Sequence, residues 1–83
     1  MYRIVLSRIA EKDLEKVDKS HKPHIFAALF ELRRDPYLGK KLKGKFEGCY
    51  SLRVGSYRII YKVYKNKLTI LVIRIGPRQG IYK

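Results

Sequence analysis

Four arginines and a run of lysines are the residues best suited to chemistry on a charged substrate: Arg53, Arg58, Arg74 and Arg78, with Lys40, Lys41, Lys43 and Lys45. Arg58 and Lys62 are four residues apart in an alternating segment, which puts both on one face of a strand. The turn residues Gly55-Ser56 bring Arg53 back beside Arg58. Tyrosines are interleaved among these cations. Cations on a sheet with rings between them suit single-stranded RNA, whose phosphates bind arginine and whose bases stack on aromatic side chains.

Such a surface needs no histidine to cut RNA. The ribose 2′-hydroxyl is a built-in nucleophile for the adjacent phosphate. A protein has to align the two and stabilise the developing negative charge. Arginine suits the second task, being always protonated and able to donate two parallel hydrogen bonds. It is a poor general base for the same reason. Tyrosine and lysine move protons only after their pKa is brought from about 10 towards neutrality. Residue chemistry alone therefore favours RNA binding over RNA cleavage.

Other chemistries fail on residue type or context. Gly39 to Lys45 matches a phosphate-binding loop in all but its last position, where Phe46 replaces the Ser or Thr that would hold magnesium. The segment also follows a helical pattern rather than a strand. His21 and His24 flank Pro23 with no Cys or carboxylate cluster near them in sequence, short of the three or four ligands of a zinc site. Cys49 reads as a small buried hydrophobe. Glu47 is the only acid after Asp35, so no two-carboxylate site or Ser/His/Asp triad can be assembled there. Neither a metal nor a cofactor is expected.

The elements that must position these residues follow from periodicity. Tyr2, Ile4 and Leu6 alternate with their neighbours and read as a strand. Ser7 reads as the N-cap of a helix carrying Ile9, Asp13, Leu14 and Val17 and ending near Lys19. Pro23 opens a second helix, where Ile25, Leu29 and Leu32 are spaced i, i+4, i+7 and Phe26 and Phe30 widen the apolar face. Asp35-Pro36 ends it. Residues 36–46 read as a loop. The period then changes to two over 50–54 and 57–64, placing Tyr57 and Tyr61 in the core. Leu68 to Ile73 is an apolar run that reads as a strand covered on both faces. Gly76-Pro77 breaks it. The order is β-α-α-β-β-β, and the expected fold is α+β: a small antiparallel sheet with a two-helix hairpin on one face.

Composition bounds the rest. The 83 residues fit a single domain, 1–83, with a modest core. They hold 20 Lys+Arg against 7 Asp+Glu, a net charge of +13. Residues 1–35 contribute 8 basic and 6 acidic side chains, and residues 36–83 contribute 12 basic and 1 acidic, so the charge splits +2 and +11. The second segment lacks the mixed signs of a surface built for solubility. A polyanion fits it, although an acidic protein partner is the alternative. No apolar run spans a membrane, and the first residues do not read as a signal peptide. With a single cysteine, the expected location is a reducing cytoplasm.

One set of motifs is more specific. Leu42-Lys43-Gly44, the run Cys49-Tyr50-Ser51-Leu52-Arg53-Val54-Gly55-Ser56-Tyr57-Arg58-Ile59-Ile60-Tyr61, then Ile75-Gly76-Pro77-Arg78 and Ile81-Tyr82 resemble the RelE family of the RelE/ParE toxin–antitoxin superfamily. The resemblance covers essentially the whole chain. It implies a ribosome-dependent mRNA endonuclease that cuts codons in the A site by 2′-hydroxyl attack, with a cognate antitoxin, the ribosome and mRNA as partners and a toxin–antitoxin hetero-oligomer as one assembly. By the same resemblance, Arg58 contacts the scissile phosphate, Arg78 stabilises the transition state and Tyr82 stacks on the substrate base. Arg53 falls where the family often has a lysine. A further family lysine falls on Ser51, which leaves the general base unidentified, with a lysine of the 40–45 loop as a substitute. Lys40, Lys41, Lys43, Lys45, Lys62 and Arg74 are then RNA- or ribosome-binding residues. The alternatives are a ParE-like inhibitor of DNA gyrase and a catalytically weak antitoxin- or RNA-binding member.

Overall fold

The computed structural model describes residues 1–77. Strand β1 (Arg3–Leu6) leads into helices α1 (Arg8–Lys16) and α2 (Lys22–Arg34), followed by β2 (Lys40–Lys41), β3 (Tyr50–Val54), β4 (Tyr57–Tyr64) and β5 (Thr69–Pro77). The strands form one sheet in the order β1-β5-β4-β3-β2. The expected α+β class and element order hold. The sheet is mixed where the sequence reading has it antiparallel: β2 to β5 pair antiparallel, but β1 lies parallel to β5. Two helices separate β1 from the meander. They carry the chain across one face before it re-enters the sheet at β2.

Local chemistry sets the helix ends. Ser7 caps α1, its Oγ accepting the Ala10 amide at 3.0 Å and donating to the Ile73 carbonyl at 2.9 Å. One residue thus starts the helix and ties it to β5. The helix stops at Lys16, before the expected Lys19, because Val17 turns extended and buries itself. In α2 the predicted stripe is the buried one: Ile25, Leu29 and Leu32. At typical burial energies each contributes about 1.5–3 kcal/mol. Ile9, Phe26 and Phe30, expected on core-facing stripes, are instead 56%, 53% and 53% exposed.

The main core lies between the helices and the sheet, with Tyr61, Ile59, Ile70, Val72 and Ile75 beneath Ile25, Leu29 and Leu32. Tyr57 packs against this cluster. A smaller cluster occupies the opposite face, where Leu42 and Phe46 pack against Cys49, Ile60 and Ile73. This cover explains the continuous apolar run in β5, which has a partner layer on both sides. The segment read as a loop supplies it, through β2 and a 3₁₀ turn at Gly44–Phe46.

A β-bulge interrupts the β4–β5 ladder between Ile60 and Tyr61, where the pairing slips from Arg74 to Val72. It keeps β5 in register as far as Pro77, past the expected break at Gly76.

Candidate RNA-binding face

The sheet has a helix face and an opposite face, and the alternation of side chains sorts the candidate residues between them. On β3, Tyr50, Leu52 and Val54 point towards the helices and Ser51 and Arg53 away. On β4, Tyr57, Ile59, Tyr61 and Val63 point towards the helices, leaving Arg58, Ile60, Lys62 and Tyr64 on the other side.

Arg53 and Arg58 are direct partners across the β3–β4 ladder. Arg53 is exposed and Arg58 half-buried. On its other side Arg58 faces Gly76 of β5, which brings no side chain to the row. Directly opposed residues have Cβ atoms about 4.5–5.5 Å apart, and like charges in that position destabilise a sheet. An anion between them reverses the sign of that interaction.

In the neighbouring row, Lys40 is paired with Ser51, and Ser51 with Ile60. Lys40 therefore lies on the arginine face, diagonal to Arg53, a position typically about 7–8 Å away. Ser51 is only 5% exposed. Lys41, next in the chain, is paired with Tyr50 and belongs to the opposite side. With Lys43, Tyr37 and Tyr50 it lines a groove of about 450 Å³ at the sheet margin. Lys45 is exposed on the 3₁₀ turn.

Lys62 and Arg74 have protein partners of their own. Lys62 Nζ lies 5.7 Å from the centre of the Tyr64 ring. Arg74 turns to the far edge of the sheet, where its Nε donates to Asp13 Oδ2 at 2.8 Å and its Nη2 to Oδ1 at 3.4 Å. Among the described residues the arginine face thus gathers Arg53, Arg58, Lys40 and Lys62 and sends Arg74 to α1. Arg78 and Tyr82 lie outside the described residues.

Two supports of this face escaped the sequence reading. Asp13 also accepts the Ile75 amide at 3.0 Å. β1 pairs with β5 only as far as Val72, and Asp13 satisfies an amide beyond that point. A carboxylate within the apolar stripe of α1 was the available signal. The second support is Tyr61, fully buried, whose Oη donates to the Pro36 carbonyl at 2.8 Å and accepts the Gly39 amide at 2.9 Å. Burial pushes its pKa up to about 12. It pins the start of the segment that delivers Lys40. Gly39 has to be glycine there, since a Cβ would lie 2.7 Å from Tyr61 Oη and 2.9 Å from the Ser51 carbonyl.

The family model for the ParE toxin of the type II toxin–antitoxin system parDE matches residues 4–82. The chain belongs to the RelE/ParE superfamily of toxins. Toxin RelG of Mycobacterium tuberculosis (strain ATCC 25618 / H37Rv) is 32% identical to this toxin over 88 residues, covering 99% of the chain and 97% of the relative. Toxin RelE of the same strain is 30% identical over 88 residues, covering 99% and 87%. The isolated E. coli RelE toxin superimposes with a TM-score of 0.82 at 25% identity, covering 99% of this chain and 92% of that one. The toxin in the M. tuberculosis RelBE2 toxin–antitoxin complex superimposes with a TM-score of 0.76 at 30% identity, covering 93% and 98%. This RelE-type toxin therefore has the fold and family that its motifs imply. Among its described residues no helix is long and apolar enough to cross a membrane.

Proposed function

We propose that this toxin is a ribosome-dependent mRNA endonuclease that cleaves A-site codons in the cytoplasm and thereby blocks translation. The observation that carries the reading is the in-register pair Arg53–Arg58, two like charges facing each other on a sheet face that suits a bound phosphate. In the proposed step the 2′-oxygen attacks the adjacent phosphorus and the P–O5′ bond breaks. The departing O5′ takes a proton from solvent water, so the products are a 2′,3′-cyclic phosphate and a 5′-hydroxyl end. Arg53 and Arg58 neutralise the charge on the phosphoryl oxygens. Lys40, diagonal to Arg53, is the lysine of the 40–45 segment placed to accept the 2′-hydroxyl proton, the role left open by Ser51. Arg78 and Tyr82 keep the roles that family resemblance gives them: stabilising the transition state and stacking on the base.

The partner that restrains this activity is a cognate antitoxin, and the two form a hetero-oligomer. The RelBE2 and E. coli RelBE neighbours are toxin–antitoxin complexes. Phe26 and Phe30, four apart on the outer side of α2 and each about half exposed, offer such a partner an apolar contact.

Primer extension on an mRNA translated in a purified system, with and without the toxin, tests the reading. Cuts within A-site codons are the expected result. The ParE family match favours one other reading, inhibition of DNA gyrase. An intact mRNA together with lost gyrase supercoiling establishes that one instead.

A further inference from the structure

Beyond the cover over Ile60, the same side of β4 carries a second basic and aromatic surface. Val5, Leu71 and Lys62 stand in one row across β1, β5 and β4, and Arg3, Thr69 and Tyr64 in the next. With Lys67, five of these six residues line a shallow depression of about 350 Å³, and Lys62 borders it through the Tyr64 ring. Val5 and Tyr64 are each 38% exposed. The sequences of β1, β4, β5 and the Lys65–Lys67 turn contain no Asp or Glu, so no carboxylate of these elements neutralises Arg3, Lys62, Lys65 or Lys67.

The place of this surface is as telling as its composition. Arg58 and Tyr64 lie on the same side of the same strand, six residues apart, which is about 20 Å of extended backbone. The 42–46 segment covers Ile60 between them, so an RNA strand held at Arg58 reaches Tyr64 by crossing over that segment, where Lys45 is exposed. A protein-docking patch of this size would be expected to centre on apolar side chains. Here Val5 and Leu71 are the only aliphatic members, and cations surround the ring.

We infer that Tyr64 is a stacking platform for an unpaired base of the messenger strand flanking the cut codon, with Arg3, Lys62 and Lys67 holding the neighbouring phosphates. The inference rests on the mRNA reading above and extends it by a second subsite on the same strand. A stacked ring tolerates any base, so the platform adds affinity and alignment without sequence preference.

Fluorescence anisotropy with the isolated full-length toxin tests it, using a labelled 12-nucleotide single-stranded RNA and the same RNA paired into a duplex. Tyr64→Ala is expected to weaken single-strand binding about tenfold, the loss of one stacked base, and to leave duplex binding unchanged. Tyr64→Phe keeps the ring and is expected to bind like the parent, and matching thermal melts exclude misfolding. Equal single-strand affinity of Tyr64→Ala and the parent overturns the platform. So does Tyr64-dependent binding confined to an acidic peptide such as oligoglutamate, which makes the face a protein interface. The translation assay reads the parent function separately: codon cleavage with Tyr64-independent binding overturns the platform alone.

Discussion

Asp13 on α1 holds Arg74 on β5, 61 residues further along the chain, with Arg74 Nε 2.8 Å from Asp13 Oδ2. The same carboxylate oxygen accepts the Ile75 amide at 3.0 Å. One partly buried acid therefore fastens the first helix to β5 beside the bulge, one residue before Gly76, which stands opposite Arg58. Asp13→Ala is expected to destabilise the fold by about 2 kcal/mol, mostly by leaving the Ile75 amide without its acceptor. The guanidinium is partly solvated, so the ion pair itself adds little. Asp13→Asn keeps a neutral acceptor and is expected to cost about half as much. Urea denaturation of the three proteins checks both values.

Tyr61 gives a pH prediction with a definite sign. Its folded-state pKa is raised to about 12 from the ordinary 10.0. The folded protein therefore keeps its proton where the unfolded chain loses it. The resulting stability is fully present below pH 10 and is lost as the pH rises from about 10 to 12, at up to about 1.4 kcal/mol per pH unit. Tyr61→Phe removes this dependence. It also removes the bonds to Pro36 and Gly39, costing about 1–2 kcal/mol at neutral pH. Denaturation midpoints of parent and variant at pH 7, 10 and 11.5 make the comparison. A constant gap between the two would contradict it.

Arg53 separates function from stability. It is exposed and directly opposite another arginine. Arg53→Ala is expected to leave the fold unchanged or raise its stability by up to about 0.5 kcal/mol, since it relieves a like-charge contact. RNA cleavage is expected to fall roughly 10²–10³-fold, the usual cost of removing one donor that stabilises transition-state charge. Thermal melts and single-turnover cleavage on programmed ribosomes read the two effects.

Lys40 tests the proton acceptor. Lys40→Arg keeps the charge but replaces the amine with a guanidinium, which stays protonated throughout. Cleavage is expected to drop on the order of 10²–10⁴-fold while RNA affinity stays within about twofold. A variant that binds and cuts like the parent removes Lys40 from the chemistry and leaves it a phosphate contact.

Much of this was legible in the sequence because periodicity reports the neighbours of a residue directly. The i, i+4, i+7 stripe of Ile25, Leu29 and Leu32 is the buried stripe. The period-two run from Tyr57 to Val63 is a strand facing the helices. The Gly55-Ser56 turn fixes the register that opposes Arg53 and Arg58, so that pairing is local information. Local pattern misled where an apolar residue had no layer left to enter, as with Ile9, Phe26 and Phe30.

The sequence by itself determined the order of the two helices and of β1, β3, β4 and β5, the β3–β4 register and the charge asymmetry, since each depends on residues close together in the chain. Tertiary structure alone decided the parallel docking of β1 on β5, the turning of Arg74 to Asp13, the pinning of the 36–39 segment by Tyr61, and the arrival of Lys40 beside Ser51. Each of these is a contact between residues far apart in sequence. Its partner is set by which elements pack together, and no spacing along the chain encodes that choice.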